Sequence, residues 1–405
     1  MKATLALWLL ATLCALPALA FDWPRFRGPE GTGVSSETGL LDAWPAEGAE
    51  MLWQRDLGRG FSGISVVEDG VFTLFANGDG EFLIRLDAAS GGEKWRYRLD
   101  GLYRDNQGDG PRSTPTVDDG IVYAYGARSV LVAVDANSGK ALWSQDLKKS
   151  LGARPPRWGT SAQPLVVDDL VLVDVGGRKG ASIAAFKKLT GVVAWTTETD
   201  KAGYSTPLLL EVGGRQQVIF FTASQLVALD PGNGDLLWKH SWSTSWDVNA
   251  AAPIAVPPNG LFVSSGYDTG SAFYRLTAEG ERRDAVEVWR QRRMKNKFSS
   301  SVLYEGHLYG FDNSILKCLD AATGEERWKT RGFEHGSLTL ADGKLFILGE
   351  GGRLALAEAS PESYRELSSF QLFNGKSWTV PTLAHGKLFL RDERQIVALD
   401  VAAGD

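Results

Sequence analysis

A glycine-rich stretch near the start of the chain has the spacing of a dinucleotide-binding loop. Residues 58–63 read GRGFSG, which satisfies the G-x-G-x-x-G pattern. In a dinucleotide site a helix follows the glycines, and its N-terminus faces the pyrophosphate. Here the next residues are ISVVEDGVFTLF, which have the pattern of a β-hairpin. We therefore predict a loop between strands and no nucleotide site.

Residues that can ligate metals are present, but their spacing matches no metal motif. DNQGDG at 105–110 resembles the start of a calcium loop, yet Gln107 stands where such loops carry aspartate or asparagine, and Thr116 replaces the closing glutamate. The histidines show neither the H-E-x-x-H motif nor close pairing. They are His240, His307, His335 and His385. The sequence therefore predicts no metal site.

Arginine and lysine are concentrated in the segment RQRRMKNK at 290–297, which leads into a predicted strand at Phe298. Such a run usually lies on a solvated surface. If its last residues turn inward, Lys297 joins Arg112 and Arg157. The three cations would then attract a carboxylate or an acidic polymer.

A repeated element must position these residues. The phrase LDAASGGEKW at 86–95 recurs as VDANSGKALW, LDPGNGDLLW and LDAATGEERW, and in each copy the tryptophan lies eight positions after the aspartate. Apolar residues precede each aspartate, as they do in a buried strand. Aspartate, asparagine, serine and glycine then supply the side-chain acceptors and the positive φ of a tight turn. Each phrase predicts a strand, a turn and a second strand that carries the tryptophan.

The tryptophans recur every 39 to 52 residues. This period, with several short strands in each unit, is typical of a β-propeller with four-stranded blades. The predicted docking residues are Trp53, Trp95, Trp143, Trp195, Trp238, Trp289 and Trp328. The units that end at Trp289 and Phe370 are degenerate. The sequence predicts an all-β, eight-bladed propeller, and seven blades remain the alternative if either degenerate unit is not a full sheet.

The two ends of the chain predict how the ring closes. The last copy of the phrase begins at Asp400, so its aromatic residue would fall beyond Asp405, the final residue. Trp53 has the opposite defect, because no copy of the phrase precedes it. We expect the N-terminal strand to complete the last blade, which removes an exposed sheet edge.

Loops that precede the innermost strands of a propeller converge around one mouth of the central channel. We predict a funnel there that binds a protein or a small anionic ligand. The predicted funnel residues are Arg112, Ser113, Arg157, Trp158, Tyr204, Trp246, Asn249, Lys297, His335 and Trp378.

The repeated phrase resembles the Ala-x-Asp-x-x-Thr-Gly-x-x-x-Trp docking motif of the pyrroloquinoline-quinone-like (PQQ-like) β-propeller repeat family, within the quinoprotein alcohol dehydrogenase-like superfamily. In the second copy Ala133, Asp135, Gly139 and Trp143 match the motif. The segment WPRFRGP at 23–29 is similar to the first segment of exported members. The resemblance implies the fold more specifically than the activity, because the motif joins blades and touches no substrate.

The resemblance implies two kinds of function. Quinoprotein dehydrogenases hold PQQ and calcium over the propeller axis with a catalytic aspartate, and many have a vicinal disulfide. This chain has no Cys-Cys pair, and Asp247 is the one carboxylate that we find placed for catalysis. The lipoprotein subunit of the outer-membrane β-barrel assembly machine is, in contrast, a scaffold. We expect a non-enzymatic scaffold or ligand-binding protein without catalytic residues or cofactor, and a PQQ-dependent dehydrogenase with calcium is the alternative.

Composition and the N-terminus restrict the remaining classes. The formal charge of −6 does not favour binding to nucleic acid, which needs a basic face. Residues 1–20 have the order of a secretory signal peptide. We assign 21–50 to an N-terminal extension and 51–405 to the propeller. After cleavage only Cys318 remains, so no internal disulfide is expected. We expect a periplasmic or secreted monomer without a transmembrane segment.

Overall fold

A computed structural model describes residues 21–280 and 282–404. The predicted signal peptide at 1–20 lies outside the described residues. Within them, 32 strands form eight four-stranded antiparallel sheets, and each sheet is one blade of a propeller. The prediction of an all-β, eight-bladed propeller is confirmed.

The first strand of the chain, β1 (Met51–Asp56), belongs to the last blade, and the first four blades follow it in sequence. Blade 1 contains β2 (Ser65–Val67), β3 (Gly70–Asn77), β4 (Gly80–Asp87) and β5 (Glu93–Asp100), and blade 2 contains β6 (Thr116–Asp118), β7 (Ile121–Tyr125), β8 (Val130–Asp135) and β9 (Ala141–Asp146). Blade 3 contains β10 (Leu165–Val167), β11 (Leu170–Asp174), β12 (Ile183–Lys187) and β13 (Val193–Thr197), and blade 4 contains β14 (Leu208–Val212), β15 (Arg215–Phe221), β16 (Gln225–Leu229) and β17 (Leu236–Ser241).

Blades 5 to 8 complete the ring. Blade 5 contains β18 (Ile254–Val256), β19 (Gly260–Ser265), β20 (Gly270–Glu279) and β21 (Arg282–Gln291), and blade 6 contains β22 (Val302–Tyr304), β23 (His307–Asp312), β24 (Ile315–Asp320) and β25 (Glu326–Thr330). Blade 7 contains β26 (Ser337–Ala341), β27 (Lys344–Leu348), β28 (Arg353–Glu358) and β29 (Glu366–Gln371), and blade 8 contains β30 (Thr382–Ala384), β31 (Lys387–Arg391) and β32 (Gln395–Asp400) together with β1. Blades 5 and 7, the two degenerate units, are both full sheets, so the seven-bladed alternative is wrong.

Helix is confined to two short segments of the described chain. α1 (Leu147–Ser150) begins after Asp146, whose carboxylate caps two backbone amides, and a 3-10 turn covers Ser245–Asp247. No helix in residues 21–280 and 282–404 has the length and apolar character that crossing a membrane requires.

The docking tryptophans join neighbouring blades. Six of the seven donate their indole N–H to a carbonyl in the outer turn of the next blade, at 2.8 to 3.1 Å. The ring of Trp143 lies so close to Gly191 that an added Cβ would sit 2.6 Å from it, so the glycine of the turn is needed for the close approach. Trp238 differs. Its indole donates to Gln217 of its own blade, because the expanded β20–β21 hairpin of blade 5 offers no equivalent turn.

Ring closure follows the predicted route. β1 pairs with β32, with Trp53 opposite Ala398. Phe370 of blade 7 packs on Gly48, which supplies the missing docking glycine of blade 8 from the N-terminal extension. Arg391 of blade 8 is fully buried and donates to backbone carbonyls of blade 1.

Two faces of the propeller are distinguished by topology. We call upper the face formed by the loops that precede the innermost strands and by the turns between the second and third strands, and lower the opposite face. Residues 21–35 cross the lower end of the channel, because they bond to blades on opposite sides of the axis. Trp23 pairs with Val66 of blade 1, whereas Arg27 donates to Ser301 O, before blade 6, at 2.7 Å.

Candidate functional site

A cavity of about 250 Å³ lies on the axis and opens toward the upper face. Loops leading into seven blades contribute side chains to it, which follows from the convergence of these loops at the channel mouth. Phe26, from the segment that crosses the lower end, also lines it. The lining residues are Phe26, Phe61, Gly63, Gln107, Arg112, Thr114, Trp158, Ser161, Tyr204, Thr206, Val248, Ala250, Tyr267, Lys297, Phe298, Trp378, Thr379 and Val380. We call this space the axial cavity.

Aromatic rings form one wall of the axial cavity. Trp378 lies at the centre, with ring centroids of Phe61 and Phe298 each 4.9 Å away. On the opposite side Tyr204 accepts a hydrogen bond from the backbone N–H of Trp158 at 3.1 Å, and burial raises the pKa of this tyrosine to about 12. Tyr204 therefore stays neutral. The cavity combines the flat apolar surface of the aromatic wall with a tyrosine hydroxyl on the opposite side.

Glu350 fixes the orientation of Trp378 from behind the wall. One carboxylate oxygen accepts from the indole N–H at 2.9 Å, and the other lies 3.0 Å from Nδ1 of His335. Burial works to raise the pKa of Glu350, but the hydrogen bonds from His335 and Trp378 outweigh it and hold the pKa below its usual range. Both oxygens of this carboxylate are thus engaged, and Glu350 does not line the cavity.

Two cations line the axial cavity. Arg112 donates to the carbonyls of Gly108 and Gly110 and lies 3.8 Å from Asp105, and burial lowers its pKa. Lys297 has no acidic partner among the described residues. None of the lining residues is aspartate, glutamate or histidine. The cavity is therefore cationic and aromatic, which suits a flat anion.

Five predicted funnel residues line the axial cavity, and five lie outside it. Those inside are Arg112, Trp158, Tyr204, Lys297 and Trp378. The hydroxyl of Ser113 is buried and bonds to the Ala162 carbonyl. Asn249 is also buried and ties loops of blades 4 and 5 together through Thr222 O and Ser265. His335 bonds to Glu350 behind the wall.

The remaining predicted residues lie on the rim of the upper face. Arg157 is exposed and lies over the rings of Trp158 and Trp246, at 5.6 and 5.0 Å. Trp246 is 63% exposed. Asp247, the alternative catalytic residue, is about half exposed and pairs with Lys201 at 2.7 Å, so it does not reach the cavity.

Five further lining residues are not among the predicted funnel residues: Phe26, Phe61, Gln107, Tyr267 and Phe298. The first three lie in the segments WPRFRGP, GRGFSG and DNQGDG, whose patterns predict other features. The convergence of loops at the channel mouth was the available signal. It does not say which side chain of a loop points inward.

Comparison with known proteins identifies the family. A family model described as "Outer membrane protein assembly factor BamB" matches residues 37–146, 104–330 and 312–405. The chain belongs to the PQQ-like β-propeller family. The sequence is similar both to outer membrane protein assembly factor BamB and to quinoprotein alcohol dehydrogenases.

Two relatives and one solved structure illustrate this. Quinohemoprotein alcohol dehydrogenase ADH IIB of Pseudomonas putida is 27% identical over 279 residues, which are 62% of this chain and 37% of that protein. BamB of Yersinia pestis is 22% identical over 284 residues, which are 67% of this chain and 69% of that protein. The crystal structure of BamB from Moraxella catarrhalis has a TM-score of 0.61 at 15% identity and covers 87% of this chain and 99% of that chain, a likeness of fold. Matches to quinoprotein dehydrogenases span 22% to 37% of their length.

Proposed function

We propose that this protein is an exported binding propeller without catalytic activity, and that it holds an anionic ligand, or an acidic part of another protein, at the axial cavity. One observation is the main support for this proposal. The cavity presents Arg112, Lys297 and an aromatic wall, but among the described residues its lining contains no carboxylate and no imidazole. Such a site can bind an anion, and it lacks the groups that most often act as general bases near neutral pH.

The residues present do not fit calcium-bound PQQ, the cofactor that the dehydrogenase relatives suggest. The aromatic wall and the two cations suit a planar polyanion. Calcium, however, takes six to eight oxygen ligands, with carboxylates prominent among them. The lining supplies hydroxyls and the Gln107 amide only, and no group of three or more His, Cys, Asp or Glu in the described residues could hold a metal ion.

The similarity to BamB supports a scaffold role. The alignment covers about two thirds of both proteins, whereas the dehydrogenase matches leave most of each enzyme unaligned. A PQQ-dependent dehydrogenase is the second candidate, favoured by the alignment of 62% of this chain with ADH IIB. Export, periplasmic or beyond, is supported by the signal-peptide pattern of residues 1–20.

Reconstitution with PQQ and calcium tests the proposal. The mature protein should reduce no artificial electron-acceptor dye with alcohol or sugar substrates, because the cavity lacks both the metal ligands and the base. Omission of PQQ or of calcium is the control that assigns any activity. Turnover that requires both additives would establish the dehydrogenase in place of the binding propeller.

A further inference from the structure

Charge is distributed unequally between the two faces of the propeller. Paired acidic residues occupy turns of the lower face, as at Asp118 and Asp119 between β6 and β7 and at Asp168 and Asp169 between β10 and β11. Upper-face loops instead carry many arginines and lysines. The formal charge of −6 therefore hides a basic upper face, and this face surrounds the mouth of the axial cavity.

Several upper-face cations have no carboxylate partner among the described residues. The guanidinium of Arg157 lies over aromatic rings, and Lys297 lines the cavity. Arg292 and Arg293 are exposed in the same loop as Lys297 and make no ion pair within the part of the chain that the structure describes. Two carboxylates on this face, Asp247 and Asp268, already pair with Lys201 and Lys295. The unpaired cations would gain most from carboxylates on a partner.

A ladder of cation–π contacts leads from the cavity to the rim. Trp158 lines the cavity, and the Arg157 guanidinium lies over both its ring and the exposed ring of Trp246, at 5.6 and 5.0 Å. Trp and Arg are the residues that most often dominate the binding energy of protein interfaces. The ladder thus combines a large apolar surface with a positive charge.

The backbone holds Trp246 in this exposed place at an energetic cost. Its φ and ψ are 70° and 16°, and the φ of Asp247 is 58°, so two consecutive residues other than glycine are left-handed. Left-handed backbone is unfavourable for residues that carry a Cβ. The Thr244 hydroxyl bonds to both the N–H and the carbonyl of Val248, and Lys201 pairs with Asp247, which together stabilise the turn. No contact within the described chain uses the free face of Trp246.

From these observations we infer that the upper face between blades 3 and 6 docks an acidic polypeptide segment. Acidic side chains of the segment pair with Arg157 and with the cations of the 292–297 loop, and an aromatic side chain of the segment enters the axial cavity against Trp378. The cavity volume of about 250 Å³ suits one such side chain and is too small for a folded element. The inference rests on the proposed binding function and names its partner class.

A polypeptide fits these features better than a membrane or a nucleic acid. An anionic membrane presents a flat surface, whereas the axial cavity is a recess with an aromatic wall. Nucleic acid extends over a long phosphate backbone, which the acidic lower face and the net charge of −6 would repel at low ionic strength.

Fluorescence anisotropy with a short labelled peptide, in which glutamates flank one phenylalanine, tests the inference on the mature full-length protein. We expect binding that weakens between about 20 mM and about 200 mM salt. Arg157→Met and Trp246→Ala should each weaken it by about tenfold or more. Both side chains are exposed, so both variants should fold, and circular dichroism checks this. Lys140→Met, at an exposed cation of the lower face, is the matched control and should leave the affinity unchanged.

Three outcomes would overturn the inference. They are the absence of peptide binding, equal affinity for a peptide with lysine in place of glutamate, and an affinity that Arg157→Met does not change. Binding of phosphatidylglycerol vesicles, lost in Arg157→Met, without binding of the peptide would assign the face to membranes instead. Failure of the peptide together with the absence of PQQ-dependent turnover would remove only this inference, whereas turnover would remove the proposed function.

Discussion

Folding stability should fall as the pH rises from about 4 to about 8, because two carboxylic acids are buried between neighbouring blades and form no ion pair with any described residue. Asp174 is 2% exposed, and Glu81 is fully buried. Burial raises the pKa of Asp174 to about 8, with Asp200 adding to the effect and the Gly203 N–H opposing it. Burial likewise raises the pKa of Glu81 to about 7, against a hydrogen bond from the Ala127 N–H.

The sign and size of the effect follow from proton linkage. The unfolded chain releases these protons near pH 4, whereas the folded protein holds them until pH 7 to 8, so the folded state is favoured by protonation. Between pH 5.5 and 8.5 the loss in the free energy of unfolding is about 2 kcal/mol for Glu81 and about 3 kcal/mol for Asp174. Carboxylates with lowered pKa, such as Asp135, act in the opposite direction only at lower pH.

Urea unfolding of the mature protein at these two pH values measures the loss. The double variant Glu81→Gln/Asp174→Asn should keep most of its stability at pH 8.5, because amides cannot ionise. Asp169→Asn is the matched control, since this carboxylate lies on the surface beside Lys187, and it should leave the pH dependence intact. A wild-type stability that rises over this range, or a double variant that loses as much stability as the wild type, would show that these two carboxyl groups do not control the pH dependence.

Three further predictions concern closure and the core. Trp53→Ala should lower the free energy of unfolding by about 3 to 5 kcal/mol, because the buried indole docks the closing strand. Trp246→Ala, at the exposed rim, should change it by less than about 0.5 kcal/mol. Deletion of 21–58 should destabilise the protein at least as much as Trp53→Ala, and equal melting temperatures of the deleted and full-length proteins would contradict closure by β1. Cys318 should react slowly with thiol reagents in the native protein and quickly in urea, since it is fully buried and burial raises its pKa to about 12; fast native labelling would show that this strand opens. Arg391→Met should cost about 3 kcal/mol in urea unfolding, because buried carbonyls lose their donor, and an unchanged midpoint would show that water replaces the guanidinium.

The repeated phrase was sufficient to predict the fold because it encodes local geometry and the contact between blades together. Its aspartate caps the turn, its glycine leaves room for the neighbouring indole, and its tryptophan reaches the next blade, as Trp143 does over Gly191. The departure at Trp238 followed from the missing phrase in blade 5, where the hairpin grows to ten residues per strand.

The site was less predictable because loop side chains are oriented by contacts and not by a repeat. Asn249 was expected to face the funnel, but its amide is used to join loop carbonyls of blade 4. Phe61 lies within a glycine-rich stretch, and its inward direction depends on the packing of Trp378 from the far end of the chain. Topology thus predicted where a cavity lies, and tertiary packing decided which side chains line it.

We propose that the axial cavity binds anions with its own cations and without calcium. Isothermal titration of PQQ, a planar polyanion, into the mature protein with and without calcium measures this property, with Lys297→Met as the variant. We expect the same titration curve in both buffers and weaker binding in Lys297→Met. A calcium-dependent gain in affinity of about tenfold or more, preserved in Lys297→Met, would show that a bound metal ion and not the lysine holds the anion.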